Sequence, residues 1–195
     1  MSTDHVVSTL APPVALSAPA EPAISWSAVW AGAVVAVAAS LLLTLAAAGL
    51  GWDTGFPGLA SRSSLTGFSP HVGAAAIVIQ VLSGMLGGYV AGRTRTIWTA
   101  LHDDEAHFRD TAHGLIAWAL ATVGGVVIAA LVLAPYAAGL ATGPAAVPAD
   151  PQRAAHIASQ ASLFIAIGML LSAFVAAVAA RIGGLRHEEM VAKGR

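Results

Sequence analysis

The sequence contains no cysteine and very little charge. Without a thiol there is no disulfide, no thiolate zinc or iron–sulfur ligation and no cysteine nucleophile, and the redox compartment is left open. Charged residues are 10% of the 195 residues, against roughly 25% in an average soluble domain. Nine basic and ten acidic residues are too few to clothe a soluble domain of this length. A net charge of -1 offers no basic face for nucleic acid. Long stretches also lack any Asp, Glu, Lys or Arg, which argues against a proton-coupled pump or voltage sensor, since both work through intramembrane ionisable groups. There is no nucleotide-binding loop, no HExxH and no paired Glu-x-x-His motif. The expectation is a protein that is not an enzyme and carries no cofactor.

Hydrophobic residues make up 57% of the chain, and they fall into blocks rather than on one face of each segment. Four blocks stand out, at about 26–50, 71–92, 111–134 and 157–180. Each reaches the ~20 residues that cross ~30 Å of hydrocarbon at 1.5 Å per residue. Continuous apolar runs of this length predict helices, because lipid cannot satisfy an open strand edge and a barrel needs short alternating segments. The predicted fold is an all-α membrane protein, a four-transmembrane-helix bundle over residues 24–186. Before it, residues 1–23 are rich in Ala, Pro and Ser, with Pro12, Pro13, Pro19 and Pro22 interrupting any helix. That stretch reads as a disordered tail, and without a positive n-region it does not read as a secretory signal. Residues 187–195 read as a short C-terminal tail. Pro135 is expected to stop or kink the third span.

The direction of the bundle follows from its basic residues. Arg93, Arg95, Arg109, Arg181, Arg186, Lys193 and Arg195 fall on one side, and Arg62 and Arg153 on the other. The positive-inside rule then puts both termini in the cytoplasm. Trp26, Trp30, Trp52, Tyr89 and Tyr136 lie near span ends, where amphipathic rings favour the headgroup region. A shift of the chain by 88 positions lays Trp30 on Trp118, Arg93 on Arg181, and Gly87–Arg93 over Val175–Arg181. A tandem duplication of a two-helix hairpin gives such a match; so does chance alignment of segments rich in Ala, Gly and Val.

Gly84, Gly88 and Gly92 form a ridge without side chains on the second span, beside a second ridge of Ser83, Gly87 and Ala91. Gly32, Ala36 and Ser40 on the first span, and Gly168, Ser172 and Ala176 on the fourth, offer similar faces. Such small-residue faces pack helices closely in lipid, either within one bundle or between copies in a homo-oligomer. Gln80 is the carboxamide near a span centre, suited to an interhelical hydrogen bond or, with Thr44 and Ser83, to lining a solute path. Ser40 and Thr44 are placed to bond their own helix carbonyls.

The stretch Arg93–His113, RTRTIWTALHDDEAHFRDTAH, is the densest polar segment. If helical, it gathers Asp103, His107, Asp110 and His113 within a third of the circumference, with ligand types suited to zinc or iron. The simpler reading is a solvated cytoplasmic loop in which Arg109 pairs with Asp104, Glu105 or Asp110. His71 and His156 open the two returning spans from the opposite side, and Trp98 reads as an interfacial anchor.

Three segments, Ile24–Leu43 (ISWSAVWAGAVVAVAASLLL), Gly87–Arg95 (GGYVAGRTR) and His107–Thr122 (HFRDTAHGLIAWALAT), resemble a family of small, uncharacterised proteobacterial inner-membrane proteins. The resemblance covers most of the chain apart from the tail, the loops on the far side and the extreme C-terminus. It implies four helices and a bacterial cytoplasmic membrane, and it brings no established activity. It draws interest to Gly92, Arg93, Phe108, Arg109, Asp110, His113 and Gly114. The functional expectation is a scaffold or accessory subunit in the lipid bilayer, packing or self-associating through its glycine faces, as a homo-oligomer or within a larger complex. The alternatives are an oligomeric channel or carrier for a small solute, and a metal-binding protein using residues 102–113.

Overall fold

The structure is a computed structural model that describes residues 22–52, 70–96, 103–141 and 151–194. Four helices account for nearly all of these: α1 (Trp26–Gly49), α2 (Pro70–Thr94), α3 (Asp103–Ala141) and α4 (Pro151–Lys193). All four contain segments long and apolar enough to cross a membrane. The side-chain distribution points the same way. Among the described residues the apolar core is alanine plus Val29, while Leu42, Leu131, Leu170 and Phe174 are each about two-thirds exposed or more, at 68%, 72%, 74% and 68%. A soluble protein buries its large apolar side chains; in lipid they can face outward, and small residues mediate the helix contacts.

Local sequence explains the helix ends. α1 closes in a Schellman motif: the Gly51 N–H donates to the Ala48 carbonyl at 3.0 Å and the Trp52 N–H to the Ala47 carbonyl at 2.9 Å. The motif needs a left-handed residue after the cap, and Gly51 supplies it at φ 78°. Pro70 and Pro151 begin α2 and α4, where the missing proline N–H costs no helical bond. Asp103, Asp104 and Glu105 open α3 with the charge that favours a helix N-terminus.

Three expectations change at these boundaries. The polar stretch from Asp103 to His113 is not a loop but the first turns of α3. Of the two outcomes expected at Pro135, a stop or a kink, the stop does not occur, because α3 continues to Ala141; membrane helices tolerate an internal proline because neighbouring groups re-satisfy the freed backbone. The segment 187–193 is not a separate tail, since α4 runs through it to Lys193. At 1.5 Å per residue α3 and α4 are about 58 and 64 Å long, so both extend past the ~30 Å hydrocarbon layer. Most of the expected N-terminal tail, residues 1–21, lies outside the described residues, as do Arg62 and Trp98.

The helices form a ring in the order α1, α2, α4, α3, with α2 also touching α3 and no contact between α1 and α4 among the described residues. Backbone approach sets the seams. A Cβ added at Gly84, Gly88 or Gly92 would overlap Ser172, Ala176 or Ala180 respectively. The two helices therefore run parallel, with residues 88 positions apart facing each other. On the neighbouring side of α2, a Cβ at Gly87 would sit 2.6 Å from the Gly32 carbonyl and 2.7 Å from the Ala36 Cβ. Gly114 seats α3 in the same way, 2.5 Å from the Ala176 carbonyl by that measure. Both ridges of α2 are thus occupied by helices of the same chain.

Candidate functional site

Two arrangements in the bundle carry polar chemistry: a buried ionic cluster at one end and a cavity in the other half. The up-and-down chain path brings the start of α1, the end of α2, the start of α3 and the end of α4 to one end of the molecule. There Arg95, just past α2, meets Asp110 on α3 and Glu188 on α4. The Arg95 and Asp110 side chains are each only 1% exposed. Arg95 Nη2 donates to Asp110 Oδ2 at 3.0 Å and to Glu188 Oε1 at 2.7 Å, and Arg95 Nε lies against Asp110 Oδ1. Arg95 Nη1 donates to the Thr96 carbonyl at 3.2 Å, fixing the turn that leaves α2.

Space for the cluster comes from Gly184, since a Cβ there would collide with the Asp110 carboxylate. Burial alone would weaken the Arg95 charge. The hydrogen bonds and attraction of Asp110 and Glu188 outweigh it and raise the guanidinium pKa above its ordinary value. The cluster ties α2, α3 and α4 together with one planar cation, a role that suits the fork geometry of arginine.

His113, one turn further along α3 and 1% exposed, ties in α1. Its Nε2 accepts the Ser25 backbone N–H at 2.8 Å, and its Nδ1 lies 2.6 Å from the Arg109 carbonyl. A backbone N–H can only donate and a carbonyl can only accept. These two partners match the tautomer with its proton on Nδ1 and a lone pair on Nε2. Ser25 is the N-cap of α1 and makes no side-chain cap bond; its own N–H is the helix-start donor that His113 satisfies.

The remaining expected residues divide between this end and elsewhere. Arg109 pairs with Glu105 at 2.8 Å across one helical turn. Arg93 Nη2 donates to Met190 Sδ at 3.3 Å. Phe108 is exposed, and Gly92 and Gly114 lie in helix seams. Of the four residues considered as metal ligands, Asp110 is engaged by Arg95, and His113 by Ser25 and Arg109. The side chain of Asp103 lies outside the described residues. Among the described residues no group of three or more His, Asp or Glu side chains is placed to hold a metal ion. His156 lies at the opposite end, its Nε2 3.3 Å from Gln160 Nε2.

Sequence reasoning singled out Asp110 and His113 but missed Arg95 and Glu188. The available signal was Gly183–Gly184, a glycine pair beyond the fourth span, where a tail needs no room for a neighbour. A Cβ at Gly183 would overlap the Tyr89 carbonyl on α2.

The second arrangement is a partly open cavity of about 400 Å³ that all four helices line. It begins at mid-bundle, near Ala36, Gly84, Trp118 and Ser172, and extends away from the ionic cluster toward Thr44, Ala76, Ala129 and Ile165. Its lining is mostly apolar and, among the described residues, includes no ionisable side chain. Gln80, Thr44 and Ser83, read from the sequence as lining a solute path, all border it.

The hydroxyls around the cavity donate to backbone carbonyls: Ser40 to Val37 at 2.8 Å, Thr44 to Ser40 at 2.7 Å and Ser83 to Ile79 at 2.7 Å. Thr122 bonds Trp118 at 2.9 Å, and Ser172 crosses from α4 to the Gln80 carbonyl on α2 at 2.8 Å. The indole N–H of Trp118 differs: it is buried and has no partner among the described residues. No protein-family model, curated protein or solved structure matches this chain.

Proposed function

We propose that the protein is a non-enzymatic scaffold or accessory subunit of the bacterial cytoplasmic membrane, with both termini on the cytoplasmic side. The observation that carries this reading is how its buried ionisable groups are engaged. Arg95, Asp110 and His113, with the partly exposed Glu188, bind helix to helix rather than facing a cleft. Arg93, Arg109, Arg181 and Arg186 are on the turns at that same end, which supports its assignment to the cytoplasm. The 88-residue register between α2 and α4 equals the offset at which the sequence matches itself, which favours a duplicated hairpin. The glycine ridges are used inside the protomer, so association with other chains falls to the outward faces, which carry large apolar side chains.

Extraction of tagged protein from its native membrane in mild detergent tests this reading. The expected result is a complex with one or more other membrane proteins at fixed stoichiometry. Recovery as a lone monomer across several gentle detergents would refute the accessory role.

A second reading, a carrier for a small uncharged solute, is favoured by the cavity. It lies within one chain and ends against the tightly packed half of the bundle, so no oligomer is required to form it. Reconstituted vesicles with no solute-dependent flux would remove it.

A further inference from the structure

We infer that the cavity is a binding site for a small, uncharged, largely apolar molecule carrying a primary amide or lactam group, and that the Gln80 side chain recognises that group. The site rests on the same cavity as the carrier reading and deepens it without depending on transport. A chain that binds such a molecule but passes no solute loses the carrier reading and keeps the site. Size sets the first limit. A cavity of about 150 Å³ holds benzene, so about 400 Å³ holds a molecule of roughly 15 non-hydrogen atoms by proportion. That falls within the range of small-molecule sites, about 300–1,000 Å³. Charge sets the second. Among the described residues no Asp, Glu, Lys, Arg or His lines the cavity, and a charged guest inside the hydrocarbon layer would have no counter-ion. The guest is therefore neutral.

Its polar group follows from the donors and acceptors around the space. The hydroxyls of Ser40, Thr44, Ser83, Thr122 and Ser172 spend their protons on protein carbonyls and keep only acceptor capacity. The Trp118 N–H is sealed, its nitrogen having no exposed surface for a guest to reach. Gln80 differs from both. It lines the cavity between Ala76 and Gly84 on α2. Its side chain makes no hydrogen bond among the described residues, and neither its oxygen nor its nitrogen is closed off as the Trp118 nitrogen is. The Ser172 hydroxyl donates to the Gln80 backbone carbonyl at 2.8 Å and pins this turn of α2 to α4. Gly168 faces the carboxamide from α4, where a Cβ would lie 3.3 Å from Oε1, so that wall gives room without offering a side-chain partner.

A carboxamide presents an acceptor oxygen and an N–H donor side by side. A second amide with its own C=O and N–H on one side, as in a primary amide or a lactam, answers both at once. A ketone or ether answers only the donor, and an alcohol must meet both atoms through one oxygen, at poor angles. A carboxylic acid is ionised near neutral pH, which the uncharged lining disfavours. The rest of the guest is apolar, to suit the remaining walls.

The probe is a benzamide bearing a trifluoromethyl diazirine opposite the carboxamide, which ultraviolet light converts to a carbene that inserts into nearby C–H bonds. Two relatives carry an acetyl group in place of the carboxamide, leaving an acceptor alone, or a methyl group, leaving neither. Full-length protein in lipid nanodiscs is photolabelled over a range of concentrations of each, and the labelled residues are mapped by mass spectrometry. The expected result is saturable labelling by the benzamide at cavity residues such as Ala121, Val126 and Met169. Labelling that never saturates, or that falls equally on exposed Leu131 and Leu170, would overturn the site.

Two variants separate the claims. Gly125→Phe fills the cavity from a lining position where a Cβ meets nothing within 4 Å among the described residues. It should abolish saturable labelling by all three probes while the melting temperature holds; saturable labelling that survives would overturn the cavity as the place of binding. Gln80→Leu removes both polar atoms at similar size, and melting should hold because the side chain bonds no other helix. It should weaken the benzamide about twentyfold, two neutral hydrogen bonds at about fivefold each, the ketone about fivefold, and the methyl relative not at all. Comparing each probe with itself in the two proteins cancels its partition into lipid. An equal change for all three probes, or none for any, would overturn the role of Gln80.

Discussion

The ionic cluster supports a quantitative prediction, because Arg95 has two carboxylate partners of different burial. Asp110 is enclosed with it, both side chains being 1% exposed, whereas Glu188 is 41% exposed. Replacing Asp110 with Ala removes the enclosed partner and leaves the guanidinium buried on the partly solvated Glu188. Breaking a buried pair by deleting one member costs about 3–5 kcal/mol. The surviving 2.7 Å contact with Glu188 places this case at the lower end, about 3 kcal/mol.

Arg95→Met should cost less, because a stranded carboxyl group can be neutralised by a proton and a stranded guanidinium cannot. The double variant Arg95→Met/Asp110→Ala leaves neither charge behind. Its loss should fall well short of the sum of the singles, with a coupling of about 2 kcal/mol or more. The assay is reversible unfolding of the full chain in mixed micelles of increasing dodecyl sulfate content, followed by tryptophan fluorescence. Strict additivity of the two substitutions, or a loss below about 1 kcal/mol for Asp110→Ala, would refute the view that this pair holds α2 to α3.

Three further outcomes test the packing from independent directions. Gly88→Leu should prevent the monomer from folding or lower its melting temperature sharply, because even a Cβ there overlaps the Ala176 backbone; Gly124→Leu, where a Cβ meets nothing within 4 Å, should leave melting nearly unchanged. His113→Phe strands the Ser25 N–H and should cost about 1–3 kcal/mol in the same unfolding assay, with proteolysis first appearing at the start of α1. Arg109→Ala removes a pair with side chains 20% and 48% exposed, so its effect should stay below about 0.5 kcal/mol.

How much of this was legible in the sequence depends on the range of the interaction. Hydrophobic length marked the spans, because crossing the bilayer is a property of each segment alone. The glycine ridges were equally visible, since their spacing of four is a property of one helix. Their partners were not: small residues recur on several spans, and only the assembled bundle pairs Gly88 with Ala176 and Gly87 with Ala36. The boundaries failed where a helix outruns the membrane. Asp103–His113 is polar and helical, and polarity next to an apolar span says nothing against a helix. The ionic cluster was half visible. Asp110 and His113 stood out as polar groups on one predicted face, but Arg95 was one of several arginines and Glu188 lay in what read as a tail. Nothing local distinguishes an arginine that will be buried from one that meets solvent.

The two halves of the bundle differ for a reason that lies in side-chain size. From residue 84 onward α2 offers glycine every fourth position, and α4 answers with Ser172, Ala176 and Ala180. The backbones touch there, leaving no room for a cavity. Before residue 84 the facing positions grow: a Cβ added at Gly168 would meet the side chains of Gln80 and Ile77 first, each at 3.3 Å, and the Ile77 Cα only at 3.6 Å. Ile165 and Met169 line the same space from α4. Larger groups hold α2 and α4 further apart, and α3 does not fill the gap, since a Cβ at Gly125 would meet nothing within 4 Å among the described residues. The cavity therefore opens where the small-residue seam stops. The ionic cluster lies at the far end of the closed half, where Gly183 and Gly184 continue the small-residue face of α4. Shortening the seam should lengthen the cavity toward that cluster, so the position of the inner wall is set by Gly84 and Ser172, the first close pair of the seam.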